Sequence, residues 1–360
     1  MTHSEHAQRR CLASEHLAER KADALVITSL ANVRYLTGFT GSNGLVLLLR
    51  DRALLFTDPR YGLQAAGETD CKVHVERGPL NLAAAALLRR KALRRIGYEK
   101  GNLSHNSYLA LDDRLPVSAR LIPVEGLVEN LRMVKSPAEM ALIRRSVLTN
   151  SEAFSQTIPL VRPGVTELDL AAELEFRMRR LGAEKPSFES IVAFGPRSAL
   201  PHASPTANRL TAGSLVLIDM GAFQDGYASD MTRMAYLGRP SARIRRLYRA
   251  VLEAQLAALA VVREGVTAET VDRAARRVLA RYDLERAFVH STGHGLGLEI
   301  HEMPKLGRKD KTRLQAGMAV TIEPGVYLQE LGGIRIEDTV AVTRDGCEIL
   351  TPTSKELVVI

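Results

Sequence analysis

One segment of this chain is written twice. The stretch RPGVTELDLAAELEFRM begins at Arg162, and REGVTAETVDRAARRVL begins at Arg263, an offset of 101 residues. Each copy has a Pro-Gly or Glu-Gly turn, a threonine placed to cap a helix (Thr166, Thr267) and then an amphipathic helix. Each is followed by an apolar strand hairpin carrying two carboxylates. Phe188 and Phe288, and His202 and His301, recur at offsets of 100 and 99. Such a repeat confines the second part of the chain to two related halves facing each other around a pseudo-twofold axis.

The first part reads differently. A charged helix is followed by the strand ALVIT, the strand pair NGLVLLL and ALLFTD, the helix LNLAAAALLRRKA, the strand RIGYEK and the helix SYLALDDRL. Strands alternating with helices predict an α/β domain over residues 1–130. In RMVKSPAEM, Ser136 precedes Pro137 and Glu139, the pattern of a capped helix start. Residues 131–137 are therefore expected to link this domain to an α+β domain over 138–360.

Four carboxylates stand where a core is expected. In SLVLIDMGAFQDGYASDMTRMAYLG, a turn over residues 223–226 would pair Ala222 with Tyr227 and so place Asp219 opposite Asp230. In AVTIEPGVYLQELGGIRIEDTV, a turn over Gln329 to Leu331 pairs Leu328 with Gly332 and hence Glu323 with Glu337. Paired acids inside apolar strands repel each other and are costly to desolvate, so a cation has to sit between them. Taken singly, Asp230 would pass as a surface residue and Arg335 as a salt-bridge partner of Glu337. The doubled arrangement argues otherwise.

The stretch VHSTGHGLGLEIHE, residues 289–302, brings His290, His294 and His301 nearby. His290 and His294 have the spacing of a helical zinc pair, but Gly293, Gly295 and Gly297 oppose a helix at about 1 kcal/mol each. Residue 291 is serine rather than the glutamate of that motif. A glycine-rich loop or strand is expected instead. Carboxylates with a single imidazole suit Mn²⁺, Co²⁺, Fe²⁺ or Zn²⁺. Four carboxylates exceed the needs of one ion and suit two, roughly 3.5–4 Å apart.

Composition removes other classes. The net charge is +8, but the arginines are spread along helical segments without a nucleic-acid motif, so no nucleic-acid partner is expected. The first residues lack an apolar signal core and the longest apolar runs are only strand-length, so no membrane association is expected. Three scattered cysteines, Cys11, Cys71 and Cys347, suit a reducing cytoplasm.

The ordered set Asp219, Asp230, His294, Glu323 and Glu337, within IDMGA, SDMTR, HSTGHGLGLEIHE, TIEPGVY and GGIRIED, resembles the pita-bread metallopeptidases, specifically their prolidase and aminopeptidase P branch. ANVRYLTGFTGSNG and FTDPRY resemble that branch's creatinase-like N-terminal domain, and RMVKSPAEM resembles its domain junction. The resemblance implies a pita-bread second domain and a dinuclear exopeptidase that hydrolyses the Xaa-Pro bond at the N-terminus of dipeptides or short peptides. It implies that Asp219 chelates one metal, that Asp230 and Glu337 bridge two, and that His294 and Glu323 complete the other. His202 and His301 then orient substrate and stabilise the tetrahedral intermediate, His290 contacts substrate, and Glu323 also relays a proton. Tyr327 and Arg335 support the carboxylates. Mn²⁺ is the favoured ion, with Co²⁺, Zn²⁺ or Fe²⁺ open, and a homodimer is implied. Methionine-type or other non-proline aminopeptidases share the metal set but not the extra N-terminal domain. Non-catalytic pita-bread binding proteins have typically lost ligands, whereas this set is complete. His3, His6, His16, His74 and His105 match nothing and are expected at the surface or partly packed.

Overall fold

The structure, a computed structural model, describes residues 2–91 and 93–360. The chain divides into two compact units, Met1–Arg132 and Met133–Ile360.

The first unit is an α/β layer structure. Its six-stranded sheet runs in the order Lys72–Val75, Ala53–Thr57, Gly44–Leu49, Ala24–Ile27, Arg95–Glu99 and Arg120–Val124. The two central runs, ALVI and GLVLLL, are buried along their whole length, which explains their lack of polar alternation. Helix Leu80–Arg90 packs its alanines and leucines on one face of this sheet. The first helix, His3–Glu19, is closed by a Thr2–Glu5 capping box. It buries His6, whose Nδ1 donates to the Tyr35 carbonyl at 2.9 Å, so that histidine is a packed residue rather than a surface one.

The second unit opens with helix Pro137–Thr157, capped by the Ser136–Glu139 box that its sequence predicts. Residues 131–133 are already helical, in the segment Leu127–Met133. The repeat is then explicit in the backbone. Helices Glu167–Arg180 and Ala268–Arg281 occupy equivalent places, each beside a partner helix, Pro137–Thr157 and Ala242–Leu259. Thr166 bridges to Arg209 and Thr267 to Arg313. The amide of Gly164 donates to the Leu210 carbonyl and that of Gly265 to the Leu314 carbonyl, both at 2.8 Å. Even the side chains correspond, because Arg209 and Arg313 donate to the carbonyls of Gly164 and Gly265.

The copies differ in their caps. Thr166 makes a capping box with Asp169, whereas Thr267 caps no backbone amide and instead meets the Thr270 hydroxyl at 2.8 Å. The residue three positions on is an acid in one copy and a threonine in the other, and only the acid can return a bond to the cap backbone.

Each half contributes a sheet. One contains Ile191–Phe194, Leu215–Met220, Met231–Tyr236 and Val358–Val359. The other contains Glu302–Leu306, Gly293–Gly295, Ala319–Ile322, Asp338–Val342 and Cys347–Ile349. Residues of both sheets and of helices Ala242–Leu259 and Ala268–Arg281 share one apolar cluster. No helix among the described residues is long and apolar enough to cross a membrane.

Candidate metal centre

The turn of the first hairpin holds two residues, not four. Asp225 and Gly226 both have positive φ, 52° and 81°, and Gln224 pairs with Tyr227. The register therefore differs from the sequence expectation, and Asp219 lies opposite Thr232 rather than Asp230. The difference is two residues, so faces are conserved. Asp230 stays on the side of Asp219, as its diagonal neighbour.

The second hairpin keeps the expected register. Leu328 pairs with Gly332, and Ile322 with Asp338 on the far side of a short unpaired gap. Glu323 and Glu337 face each other across that gap. Their amides are drawn to different neighbours. That of Glu323 donates to the Thr292 carbonyl at 2.7 Å, and that of Glu337 to the Thr232 carbonyl at 3.3 Å. The gap thus ties the second hairpin both to the histidine-bearing stretch and to the first hairpin.

That stretch is a short strand, Gly293–Gly295, and its glycines answer to backbone crowding. A Cβ on Gly293 would lie 1.9 Å from the Thr321 carbonyl oxygen, and one on Gly295 would lie 2.2 Å from that of Met303. His294 Nδ1 sits 2.9 Å from the Gly295 carbonyl, which assigns its proton there and leaves the Nε2 lone pair free. Nε2 points at Asp230 Oδ2 (3.5 Å) and Glu323 Oε1 (3.7 Å). Asp230, His294 and Glu337 each offer one ligand atom, all within 4.8 Å of one another.

Arg335 organises the other side. It donates to Asp219 Oδ2 at 2.5 Å, to the Thr232 hydroxyl at 3.0 Å and to the Tyr327 hydroxyl at 2.6 Å. Its partner is thus Asp219 and not its neighbour Glu337, which takes the Thr232 hydroxyl at 2.7 Å instead. The Tyr327 hydroxyl donates to His290 Nε2 (2.8 Å), because His290 Nδ1 is committed to the Ser291 carbonyl (2.8 Å).

Burial and mutual repulsion drive Asp230, Glu337 and Glu323 upward. Asp230 and Glu337 stand well above the carboxylate range, burial being the main cause, with Asp219 repelling Asp230, and Asp230 repelling Glu337. Glu323 is raised by burial in the same way. Burial also lowers His290 to about 4, with the Arg335 charge adding to the effect, and pushes Tyr327 up to about 12. Arg335 remains charged against its burial because Tyr327, Asp219 and Glu323 surround it.

The donors fit divalent cations. Asp219 Oδ1 and Asp230 Oδ1 are buried and have no hydrogen-bond partner among the described residues. Buried polar atoms in that state cost free energy unless something coordinates them. One guanidinium cannot neutralise four neighbouring carboxylates. Hard oxygens with one imidazole nitrogen are a donor set for Mn²⁺-like ions.

The remaining histidines lie at the edge. His202 and His301 are both exposed. The His301 ring stands 4.4 Å from that of His294, and its pKa is lowered, first by partial desolvation of the ring and then by the charges of His294 and His202. His202 follows Pro201, whose carbonyl accepts from Arg335 at 3.3 Å.

Three supports were not read from the sequence. Thr232 bonds both Glu337 and Arg335. Asp272 and Arg276 hold Thr292 and the carbonyls of Phe288 and His290. Arg233 is almost wholly buried and reaches Asp338 and the Glu337 carbonyl. Only Thr232 left a signal, since it lies two residues beyond Asp230 and therefore on the same face of the strand.

Comparison with known proteins places the chain in a family. Residues 141–344 match metallopeptidase family M24, and residues 9–134 match the creatinase/prolidase N-terminal domain. The Xaa-Pro dipeptidase of Pyrococcus horikoshii is 34% identical over 96% of this chain and 97% of its own length. The structure of an Xaa-Pro dipeptidase from Bacillus anthracis superimposes with a TM-score of 0.96 at 36% identity, covering 99% of this chain and 100% of that one. The structure of an X-Pro aminopeptidase from Thermotoga maritima gives 0.88 at 34% identity, covering 95% of this chain and 99% of that one. With the creatinase-type first domain, the pita-bread second domain and a carboxylate cluster suited to divalent ions, this chain belongs to metallopeptidase family M24.

Proposed function

We propose that the protein hydrolyses the Xaa-Pro bond of dipeptides, with two Mn²⁺ ions as its cofactor. The carrying observation is the pair of partnerless oxygens on Asp219 and Asp230 beside His294, Glu323 and Glu337. The Xaa-Pro dipeptidases among its relatives support the substrate class.

In this reading Asp219, Asp230, His294, Glu323 and Glu337 would hold the two ions through their carboxylate oxygens and one imidazole nitrogen. When bound, the ions supply Lewis acidity that lets water act as a nucleophile near neutral pH. The chain's own groups do the rest. Glu323 moves a proton from the attacking water to the leaving nitrogen. His202 and His301, both exposed, hold the scissile carbonyl oxygen as negative charge develops on it. His290, kept neutral by burial and the Arg335 charge, lines the substrate site as an imidazole whose orientation is set by Tyr327 and the Ser291 carbonyl. Tyr327 and Arg335 keep Asp219 oriented. We further place the enzyme in the cytoplasm, where its three unpaired cysteines would stay reduced, and as a homodimer.

The test is proline release from Ala-Pro and Met-Pro by Mn²⁺-loaded, chelator-stripped and Asp230→Asn protein, with Ala-Pro-Ala in parallel. Metal-dependent cleavage of the dipeptides, lost in the variant, supports the reading. Cleavage of the tripeptide alone transfers it to the aminopeptidase type, and cleavage of neither by metal-loaded protein overturns the proline specificity.

A further inference from the structure

We infer that Glu167 is a positioning residue for His202, acting as a clasp that closes the loop on which His202 is presented. Glu167 is the first residue of helix Glu167–Arg180, and its side chain is wholly buried although it lines no part of the carboxylate centre. Its two oxygens gather both ends of the loop. Oε1 accepts from the Phe194 amide at 2.9 Å and from Asn208 Nδ2 at 3.2 Å. Oε2 accepts from the Thr206 amide at 2.9 Å and from the Thr206 hydroxyl at 2.7 Å. Arg197 Nε donates to both, at 3.1 and 3.0 Å, while its NH2 reaches the Ser204 carbonyl at 2.8 Å. A carboxylate has about four acceptor directions, and these are saturated by groups of this one loop.

Between the clasped ends, Ser198 and Ala203 are buried on either side of the exposed tip. The Gly333 amide donates to Ser198 Oγ at 2.9 Å and Arg335 reaches the Pro201 carbonyl at 3.3 Å. Leu200 and His202 are exposed. Glu167 thus ties together the two ends of the loop that carries the His202 ring.

The second repeat carries an analogous device on its own helix. Asp272 and Arg276, on Ala268–Arg281, bind the Thr292 hydroxyl and the carbonyls of Phe288 and His290. Each half of the repeat therefore anchors one substrate-facing histidine by a buried acid and an arginine. The pairs occupy different places, because Ala268 stands where Glu167 stands in the first copy.

The inference rests on reading His202 as a substrate contact, and its test separates the two. Glu167→Gln keeps the volume but loses half the acceptor capacity. Rates on Ala-Pro are measured for this variant, for His202→Ala and for the double variant. A displaced catalytic loop costs about ten- to a hundredfold in kcat/KM. Glu167→Gln is expected to show such a loss, with no further loss when it is added to His202→Ala. Added to His290→Ala, the losses should multiply, because His290 hangs on the other clasp. Mn²⁺ stoichiometry should not change. Independently of any substrate, hydrogen exchange at the Phe194 and Thr206 amides should quicken while residues 288–292 stay as in the parent. Multiplying losses with His202→Ala, or unaltered exchange at those amides, overturns the inference. If the parent cleaves no Xaa-Pro substrate, the functional reading fails, and the exchange comparison alone decides the clasp.

Discussion

Thr232 and Glu337 are bound to each other twice. The Glu337 amide donates to the Thr232 carbonyl at 3.3 Å, and the Thr232 hydroxyl donates back to the Glu337 carboxylate at 2.7 Å. Thr232 is also the cross-strand partner of Asp219. One small side chain therefore sets the distance between acids of the two hairpins. Thr232→Val preserves shape and removes the hydroxyl. Roughly 10- to 100-fold weaker Mn²⁺ binding is expected, the usual effect of losing a bond that orients a ligand. Titration calorimetry on the folded variant checks this, and unchanged affinity would refute it.

Metal-free protein should become less stable as pH rises. Burial and mutual repulsion raise Asp230 and Glu337 above their unfolded values. The native state therefore holds more protons than the unfolded chain, and stability present below about pH 4 is lost as pH climbs through the raised values. Melting temperatures of chelator-stripped protein between pH 5 and 8 should fall with pH, and Mn²⁺ should reverse the trend. Asp230→Asn, lacking one of the repelling charges, should flatten it.

His290 has a different signature. Its pKa is lowered to about 4, mainly by burial and then by Arg335. The group thus stays neutral from pH 8 down to about 5, and the stability it lends is present above the unfolded value of about 6.5 and is lost only as pH falls toward the folded one. Nitrogen-15 spectra should show the Nδ1-protonated tautomer throughout that range. A midpoint near 6.5 would contradict this environment.

Two glycines make opposite predictions. Gly293→Ala drives a methyl group into the Thr321 carbonyl, and the resulting backbone shift should cost at least about 1–3 kcal/mol in a urea melt. Gly67→Ala, in helix Gly62–Glu68 with open space around it, should instead stabilise by about 0.4–1 kcal/mol. Equal effects at both sites would show that backbone crowding is not what keeps Gly293.

Much of this centre is visible in the chain as written. Asp219 interrupts LVLI, and Glu323 ends AVTI, at positions where burial is otherwise continuous. An acid in such a run states its own need for a partner. The repeat at Arg162 and Arg263, the Ser136 cap and the exclusion of a helix by Gly293 and Gly295 are likewise local properties, and the backbone realises all of them. The two-residue slip in the first hairpin marks the boundary of such reasoning. Asp225-Gly226 announces a turn, but its length depends on the positive φ of both residues.

What only the tertiary structure decided are the bonds between distant segments. Asp272 and Arg276 read as an ordinary i, i+4 pair on an amphipathic helix, and Glu167 reads as a favourable charge in a first helical turn. Their actual duty is to hold loops that carry His290 and His202. Arg335 could have paired with Glu337 on its own strand, yet it binds Asp219. Periodicity and spacing report which face of an element a side chain occupies. They carry no information about which group from another hundred residues away will meet it there, because that choice is made by packing of the whole unit.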